Sequence, residues 1–399
     1  MVATVHIRSG RAQPFWSGHP WVFRGALAKI QGQAQTGDLV EVVDPRGVRI
    51  GAGLYHATSA LAVRLVPGLE EGQTLDLAFF RDRLVRAKTL RTERLGLWRP
   101  DNDAYRLCNA EGDGIPALNI DVFNRVIVVQ WGARAIFDRR VPLLDALQEL
   151  YPQAAIVGQV NRDAAKMEGW TPEEVQHLCG PLRGELPPDT TFTEEGVRFH
   201  LPTARAQKTG HYLDQRRNRL RFAELARGEL LDGHCYSGGF ALQAARRGSQ
   251  VTAVDSSREA LALLTHNMAL NHCTTVQPRQ GQILRELQAM AEEGRRFDGI
   301  ALDPPKLAPR QRDLDKALEH YGALVRDALP LLRPGGMLAL SSCAQVIDAE
   351  ALARVVAQRC GHVRRQAVLI EAAGAAPDHP VPAALREGRY LSFALFGID

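Results

Sequence analysis

The sequence contains little cysteine and no long apolar run. Six cysteines are spread over 399 residues without forming a C-x-x-C pair: Cys108, Cys179, Cys235, Cys273, Cys343 and Cys360. That spacing argues against a disulfide framework and against a structural zinc site. No apolar stretch approaches the roughly 20 residues that span a bilayer, and the first residues lack the apolar core of a secretory signal. We therefore expect a cytoplasmic protein with free thiols, no membrane span and no bound metal.

The composition has no strong bias either. Hydrophobic residues make up 45% and charged residues 24%, which excludes a disordered tail, a collagen-like fibre and a coiled coil. The length predicts two or three domains. Residues 1–100 carry 14 basic and 8 acidic side chains, whereas the remaining 299 residues carry 35 and 37. The positive excess of the first quarter fits polyanion binding and, equally, an ordinary solvated surface.

Residues 1–72 are predicted to form a small β-barrel, because short apolar strands at 40–43, 48–54 and 60–66 alternate with turn residues. Residues 73–185 follow as a central domain. In this domain, apolar residues between positions 78 and 98 recur at helical spacing, and five basic side chains lie between Arg81 and Arg91. This helix either contacts RNA or is merely solvated. The polar, proline-rich stretch 181–188 predicts a linker.

Between residues 186 and 399 strands and helices alternate. Strands are predicted at 230–232, 250–255, 298–303 and 337–342, and helices at 240–247, 258–270 and 314–332. Pro330 should end or kink the last of these helices. Such alternation predicts an α/β fold, with a parallel sheet covered by helices on both faces.

A turn of small residues at 232–240 follows the first of these strands and opens a helix. Gly238 and Gly239 let a ligand approach the backbone, and the helix N-terminus offers free N–H groups. The turn lacks G-x-G-x-x-G, which disfavours a nicotinamide cofactor. Asp255 ends the next strand, where a carboxylate can accept hydrogen bonds from the ribose hydroxyls of an adenosine ligand. Asp255 is also a candidate N-cap for the next helix, and the two roles are compatible.

Two further motifs end buried strands. In the D-P-P-K loop, Asp303 can hydrogen-bond a base edge and Lys306 can stabilise anionic charge. Cys343 follows the strand at 337–342. A lone cysteine is more often a packing residue, but one at a strand end beside an Asp-Pro-Pro loop is a candidate nucleophile. We interpret three other cysteines of this region as packing residues: Cys235, Cys273 and Cys360.

The block Q-K-T-G-H-Y-L-D-Q-R at 207–216 resembles one found in bacterial class I S-adenosylmethionine-dependent rRNA methyltransferases. With the small-residue turn, the D-P-P-K loop and Cys343, the chain resembles the large-subunit rRNA (cytosine-C5)-methyltransferases that begin with a PUA domain. Segments near residues 18–23, 111–116, 162–169 and 378–381 match that family as well. The resemblance implies a PUA-like domain at 1–72, a central domain at 73–185 and a Rossmann-like methyltransferase domain at 186–399.

The resemblance also implies roles for individual residues. Cys343 would be the nucleophile, with Asp303 and Lys306 as the other catalytic residues. Gln282 stands where many relatives carry an aspartate facing the adenine amino group, and its carbonyl oxygen can accept the same hydrogen bond. The implied S-adenosylmethionine site comprises Gln207, Lys208, Asp214, Arg216, Tyr236, Ser237, Gly238, Gly239, Asp255, Gln282 and Asp303.

The implied reaction is methyl transfer to carbon 5 of a specific cytosine in 23S rRNA through a covalent bond between cysteine and RNA. The implied partner is large-subunit rRNA, and a homodimer is left open. Three other functions stay open. One is a guanine methyltransferase, which needs no thiol. The others are a non-catalytic RNA-binding assembly factor and a nicotinamide oxidoreductase.

Overall fold

The computed structural model describes residues 2–160, 162–187, 190–201, 210–308 and 310–399. The chain divides into two compact units. The first comprises Met1–Phe192, Leu201–His211 and Pro377–Gly388, and the second comprises Thr193–His200, Tyr212–Ala376 and Arg389–Asp399. The segment Pro377–Gly388 thus belongs to the first unit, although the predicted boundary at residue 186 assigns it to the last domain. Among the described helices, none is long and apolar enough to cross a membrane.

The first unit begins with a six-stranded sheet. Its elements are β1 (Thr4–Ile7), α1 (Gln13–Trp16), β2 (Trp21–Phe23), β3 (Leu27–Gln31), β4 (Leu39–Val43), β5 (Arg49–Tyr55) and β6 (Leu61–Leu65). The strand order is β2-β6-β5-β4-β1-β3. Alternate side chains such as Val5, Val40 and Val42 fill its core. The predicted turn after β4 is present, because the Asp44 carboxylate accepts hydrogen bonds from the N–H groups of Arg46 and Val48.

A second sheet of five strands, with its flanking helices, follows in the first unit. The helices and strands of this part are α2 (Leu77–Thr89), β7 (Ala104–Asn109), β8 (Leu118–Phe123), β9 (Val126–Trp131), α3 (Arg134–Phe137), α4 (Arg140–Leu150), β10 (Ala155–Val160), α5 (Arg162–Glu168), α6 (Pro172–Leu178) and β11 (Gly180–Arg183). The strand order is β11-β10-β9-β8-β7. The predicted linker at 181–188 is wrong at its start, because Pro181 pairs with Val157 in the edge strand β11. An edge strand tolerates proline, since its outer side needs no N–H donor.

The basic side chains of α2 and the π-helical turn after it are engaged within the chain. Arg91 is fully buried and forms a salt bridge with Asp113. The other four make the following contacts: Arg81 with Glu149, Arg83 with the carbonyl of Pro67, Arg86 with Asp82, and Lys88 with the carbonyl of Leu150. The predicted basic face is therefore largely paired to the protein itself.

Three of the segments that resemble the methyltransferase family meet within the first unit. The indole N–H of Trp21 donates to Glu111 at 2.9 Å, and Arg64 contacts the same carboxylate at 3.2 Å. A Cβ at Gly112 would lie 1.8 Å from the carbonyl oxygen of Pro380, so these two segments are in direct contact, and the buried Asp378 carboxylate accepts a hydrogen bond from the N–H of Arg106 at 2.9 Å. These segments therefore stabilise the packing of this unit around Glu111 and Asp378.

The second unit is built on a seven-stranded sheet. Its elements are the hairpin β12 (Thr191–Glu194) and β13 (Val197–His200), then α7 (Arg216–Leu225), β14 (Glu229–Gly233), α8 (Gly239–Ala245), β15 (Gln250–Asp255), α9 (Arg258–Leu270), β16 (Val276–Gln280), α10 (Ile283–Glu292), β17 (Phe297–Leu302), α11 (Leu314–Ala328), β18 (Leu332–Ser342), α12 (Ala349–His362), β19 (Ala367–Ala373) and β20 (Ser392–Ile398). The strand order is β16-β15-β14-β17-β18-β20-β19.

The α/β prediction is confirmed, with one correction to the sheet. Strands β14 to β18 are parallel, but β20 lies antiparallel between β18 and β19. Helix α11 ends at Ala328, two residues before Pro330, as the sequence predicts. Strand β18 begins at Leu332 rather than at Met337, with a register shift against β17 beyond Phe297.

The parallel register brings the predicted motifs to one edge of this sheet. Gly233, the last residue of β14, pairs with Val254 of β15 and Leu302 of β17. Leu302 pairs in turn with Leu340 of β18. The chain segments that follow these strands therefore lie side by side at the carboxyl edge, which is where open α/β sheets bind ligands.

Candidate active site

The loop after β14 has a constrained backbone. His234, Tyr236 and Gly238 have positive φ values of 64°, 47° and 87°. A Cβ at Gly238 would lie 2.3 Å from a methyl carbon of Leu264, so this position requires glycine. The amide of Asn267 in α9 donates to the carbonyl of Ser237 at 3.0 Å. The loop is thus held in one shape beside the ends of β14 and β15.

Asp255 connects this loop to the start of α9. One carboxylate oxygen accepts a hydrogen bond from the N–H of Tyr236 at 3.0 Å, and the other accepts from the N–H of Ser257 at 2.9 Å. The helix N-cap is Ser257, whose hydroxyl accepts from the N–H of Ala260. Asp255 is therefore not the N-cap itself. Each of its carboxylate oxygens can accept a further hydrogen bond, as two ribose hydroxyls would require.

Asp232, near the end of β14, links the strand to the helix that follows the loop. Its carboxylate is buried and accepts a hydrogen bond from the N–H of Ala241 in α8 at 2.9 Å. Burial raises the pKa of Asp232 to about 7, and the nearby carboxylates of Asp303 and Asp255 raise that pKa as well. The sequence signals this residue only through its place before the turn.

Asp303 and Cys343 share the neighbourhood of two tyrosines. Burial raises the pKa of Tyr212 and of Tyr321, and the carboxylate of Asp303 and the sulfur of Cys343 raise both pKa values further. Asp303 and Cys343 are both partly exposed. The N–H of Asp303 donates to the carbonyl of Gly233 at 3.2 Å, which ties the D-P-P-K loop to β14. Two of the three residues that the sequence assigns to catalysis, Asp303 and Cys343, thus lie within electrostatic range of the same two tyrosines.

The two tyrosines have different settings. The Tyr321 hydroxyl donates to the carbonyl of Ser341 at 2.8 Å, two residues before Cys343, and the side chain is buried. Tyr212 packs edge to face on Tyr236, with ring centroids 5.5 Å apart. Tyr236 in turn donates its backbone N–H to Asp255, so the Tyr212 ring contacts a residue that binds the proposed ribose carboxylate. The sequence assigned no role to Tyr212 or Tyr321, whereas it predicted that Tyr236 binds the cofactor.

The other predicted cofactor residues are placed as follows. Asp214 is buried and accepts a hydrogen bond from the Tyr390 hydroxyl at 2.6 Å, and Arg216 is buried at the start of α7. Gln207 and Lys208 lie outside the described residues. The side chains of Gln282 and Lys306 are exposed. The N–H of Gly281 donates to the carbonyl of Asp255 at 3.0 Å, so Gln282 lies next to the proposed ribose site.

Sequence reasoning missed Gln215. Its side chain is buried, and its amide nitrogen donates to a carboxylate oxygen of Asp303 at 3.0 Å. It lies 88 residues from Asp303 in the chain, so no local pattern could have connected the two. Its position inside the Q-K-T-G block was the only signal.

Two further ionisable side chains of this loop, His234 and Cys235, are unsuited to acid–base or nucleophilic catalysis. Burial lowers the pKa of His234 to about 4, and it raises the pKa of the Cys235 thiol well above its usual range. Cys235 is therefore a packing residue, as the sequence predicts, and its thiolate is disfavoured. Within the described ranges, no group of three or more metal-binding side chains could hold an ion.

A cavity of about 610 Å³ lies at the opposite, amino edge of the same sheet. Its lining includes Arg295 and Arg333, which contact Glu229 at 3.8 Å and Asp298 at 2.8 Å. These arginines are held by structural ion pairs. The side chains with raised pKa values, Tyr212, Tyr321 and Asp232, lie instead at the carboxyl edge. The carboxyl edge is therefore the candidate active site.

Two protein-family models match separate parts of the chain. A model for a PUA-like domain matches residues 5–66, which form the six-stranded sheet. A model for a family described as conserved hypothetical protein 95 matches residues 216–342, from α7 to the end of β18. The solved structure of a methyltransferase in complex with SAH has a TM-score of 0.84, is 17% identical, and covers 100% of both chains. A SAM-dependent methyltransferase from Streptococcus mutans has a TM-score of 0.82 at 17% identity, again over 100% of both chains.

Curated relatives resemble the chain over almost its full length. Ribosomal RNA large subunit methyltransferase I of Klebsiella pneumoniae is 34% identical over 393 residues, which cover 96% of each chain. The Escherichia coli protein of the same name is 34% identical over 395 residues, also with 96% of each chain covered. The likeness therefore includes both compact units.

Proposed function

Because the chain belongs to the family of ribosomal RNA large subunit methyltransferase I, we propose that it transfers a methyl group from S-adenosylmethionine to carbon 5 of a cytosine in 23S rRNA. The observation that carries the carbon 5 chemistry is that Asp303 and Cys343 follow the adjacent parallel strands β17 and β18, in which Leu302 pairs with Leu340, and that both act on the pKa of Tyr212. Methylation at a guanine nitrogen would need no thiol there. A strand-end cysteine at the carboxyl edge favours covalent catalysis.

The residues around the β14 loop fit the cofactor. Asp255 suits the ribose hydroxyls, and Gln282 is placed beside it for the adenine edge. Ser237, Gly238 and Gly239 form the buried turn that opens α8, and the family resemblance assigns this turn to the methionine portion of the cofactor. S-adenosylmethionine, when bound here, supplies an electrophilic methyl group on its sulfonium.

Asp255→Asn is expected to weaken S-adenosylmethionine binding about 10- to 100-fold, because hydrogen bonds to a charged acceptor are worth roughly 1.5–3 kcal/mol. The asparagine also turns a donor toward the N–H groups of Tyr236 and Ser257. Isothermal titration calorimetry measures the dissociation constant. The matched control is Asp348→Asn, which alters only the N-cap of α12 and should leave that constant unchanged. An unchanged constant for the Asp255 variant would contradict the ribose assignment.

Cys343 performs the covalent step. Carbon 5 of cytosine is a poor nucleophile, so the Cys343 thiolate adds at carbon 6 and shifts the ring electrons to carbon 5. That carbon attacks the sulfonium methyl group, and the methyl–sulfur bond breaks, so that the cofactor product leaves as a neutral thioether. Transfer of the carbon 5 proton to a base then restores the ring double bond and breaks the bond between carbon 6 and the Cys343 sulfur, which frees the thiolate. Asp303 interacts with the ring nitrogen or the amino group of cytosine and favours the addition.

The first unit supplies RNA binding in this proposal. A target base must leave its stack to reach Cys343, so the rest of the RNA has to be held elsewhere. We assign this RNA binding to the PUA-like sheet, which would recognise the RNA mainly through contacts with its backbone and through its shape.

Trapping on RNA that contains 5-fluorocytosine tests the carbon 5 assignment. Fluorine at carbon 5 prevents the final proton loss, so we expect a protein–RNA adduct that survives a denaturing gel, and 5-methylcytosine in ordinary 23S rRNA treated with the protein. Methylation of guanine without an adduct would replace this proposal with a guanine methyltransferase. RNA binding without any methyl transfer would point to an assembly factor.

A further inference from the structure

A chain of hydrogen bonds leads from the backbone carbonyl of Gly374, the residue after β19, to Asp303. The Asn218 amide nitrogen donates to the carbonyl of Gly374 at 3.2 Å and to the Gln215 amide oxygen at 2.6 Å. The Gln215 amide nitrogen then donates to Asp303 at 3.0 Å. Gln215 and Asn218 are buried, with 2% and 1% of their surfaces exposed. All four residues belong to the second unit.

The two ends of this chain fix the direction of each donor. A backbone carbonyl can only accept, so the Asn218 nitrogen must face Gly374, and both of its N–H groups are used. The oxygen of Gln215 therefore faces Asn218, and its nitrogen faces Asp303. An ionised carboxylate also only accepts, so the whole chain is consistent when Asp303 carries its negative charge.

We propose that Gln215, oriented by Asn218, is a positioning residue that holds Asp303 ionised and in one orientation for the target base. A hydrogen bond donated to a carboxylate favours its charged form. An ionised Asp303 accepts from the 4-amino group of cytosine, whereas uracil has an acceptor at that position. The relay thus favours cytosine over uracil. This inference rests on the proposed function.

The pH dependence of methyl transfer distinguishes this role from a purely structural one. Gln215→Glu places a second carboxylate against Asp303, and two neighbouring carboxylates share a proton. Asp232, Tyr212 and Tyr321 also face Asp303, but they are the same in the wild type and in this variant, so the acid limb of the kcat profile should move up by about 1–2 pH units. Gln215→Met fills a similar volume without a donor, and we expect a roughly 10-fold lower kcat with unchanged affinity for S-adenosylmethionine.

Gln243→Glu is the matched control. Gln243 is also fully buried in the second unit, and its amide nitrogen donates to the backbone carbonyl of Glu194 rather than to Asp303. This variant should lose stability while keeping the wild-type pH profile. Asn218→Asp removes the donor that orients Gln215, so it should shift the acid limb in the same direction as Gln215→Glu. It tests the relay separately if Gln215→Glu fails to fold.

Transfer of tritiated methyl groups from S-adenosylmethionine to 23S rRNA is the measurement, because it registers methylation of any base. A wild-type profile in folded Gln215→Glu and Asn218→Asp, or the same shift in Gln243→Glu, would overturn the inference. Absence of 5-methylcytosine in the wild-type product would instead overturn the proposed function while the role of Gln215 in positioning Asp303 is still measured.

Discussion

Cys343→Ala is expected to abolish methyl transfer to 23S rRNA, with a fall in kcat of at least about 10⁴-fold. Without the thiolate, carbon 5 of cytosine stays a poor nucleophile, and no other residue of the site replaces it. Cys235 cannot, because burial raises the pKa of its thiol. The measurements are methyl incorporation into 23S rRNA and the loss of the adduct with RNA containing 5-fluorocytosine.

The same variant should keep its fold and its affinity for S-adenosylmethionine, since Cys343 is partly exposed and is not among the proposed cofactor residues. The matched control is Cys273→Ala. Cys273 is also a partly exposed free thiol of the second unit, and its sulfur lies 3.8 Å from the Thr275 hydroxyl. We expect wild-type activity from this control. Wild-type activity in Cys343→Ala would reject the nucleophile and with it the carbon 5 mechanism.

Asp303→Asn is expected to lower kcat by about 10²- to 10⁴-fold, the usual contribution of a positioned acid or base. The substitution keeps the shape of the side chain and removes its charge. The asparagine amide also competes with the donor from Gln215, which lies 3.0 Å from one carboxylate oxygen. Single-turnover methyl transfer, with calorimetry of cofactor binding, separates the two roles open to Asp303. A lower rate at constant affinity assigns it to the target base.

A parallel loss of cofactor affinity, with little change in the single-turnover rate, would instead assign Asp303 to the amine of the cofactor. Asp298→Asn is the matched control on the same strand. Asp298 lies at the amino end of β17 and binds Arg333 and the N–H of Glu229. Its loss should lower the melting temperature and leave the rate per folded molecule unchanged.

Local sequence signals predicted the elements that local interactions stabilise. Strand β15 and helix α9 begin and end where the pattern places them, because a short apolar run and the Ser257 cap act within a few residues. Where partners are distant, prediction failed. Pro181 entered a strand because β10 offered an edge, and the basic pattern of α2 gave no sign that Arg91 would be buried against Asp113.

The sequence by itself determined the α/β class, the carboxyl-edge location of Asp255, Asp303 and Cys343, and the family resemblance. Each of these depends on residue types at the ends of strands, and parallel strands bring such ends to one edge. Only the tertiary structure decided that Gln215 faces Asp303 and that residues 377–388 join the first unit. Contacts across many residues of chain depend on how whole elements pack, and that packing leaves no periodic trace in the sequence.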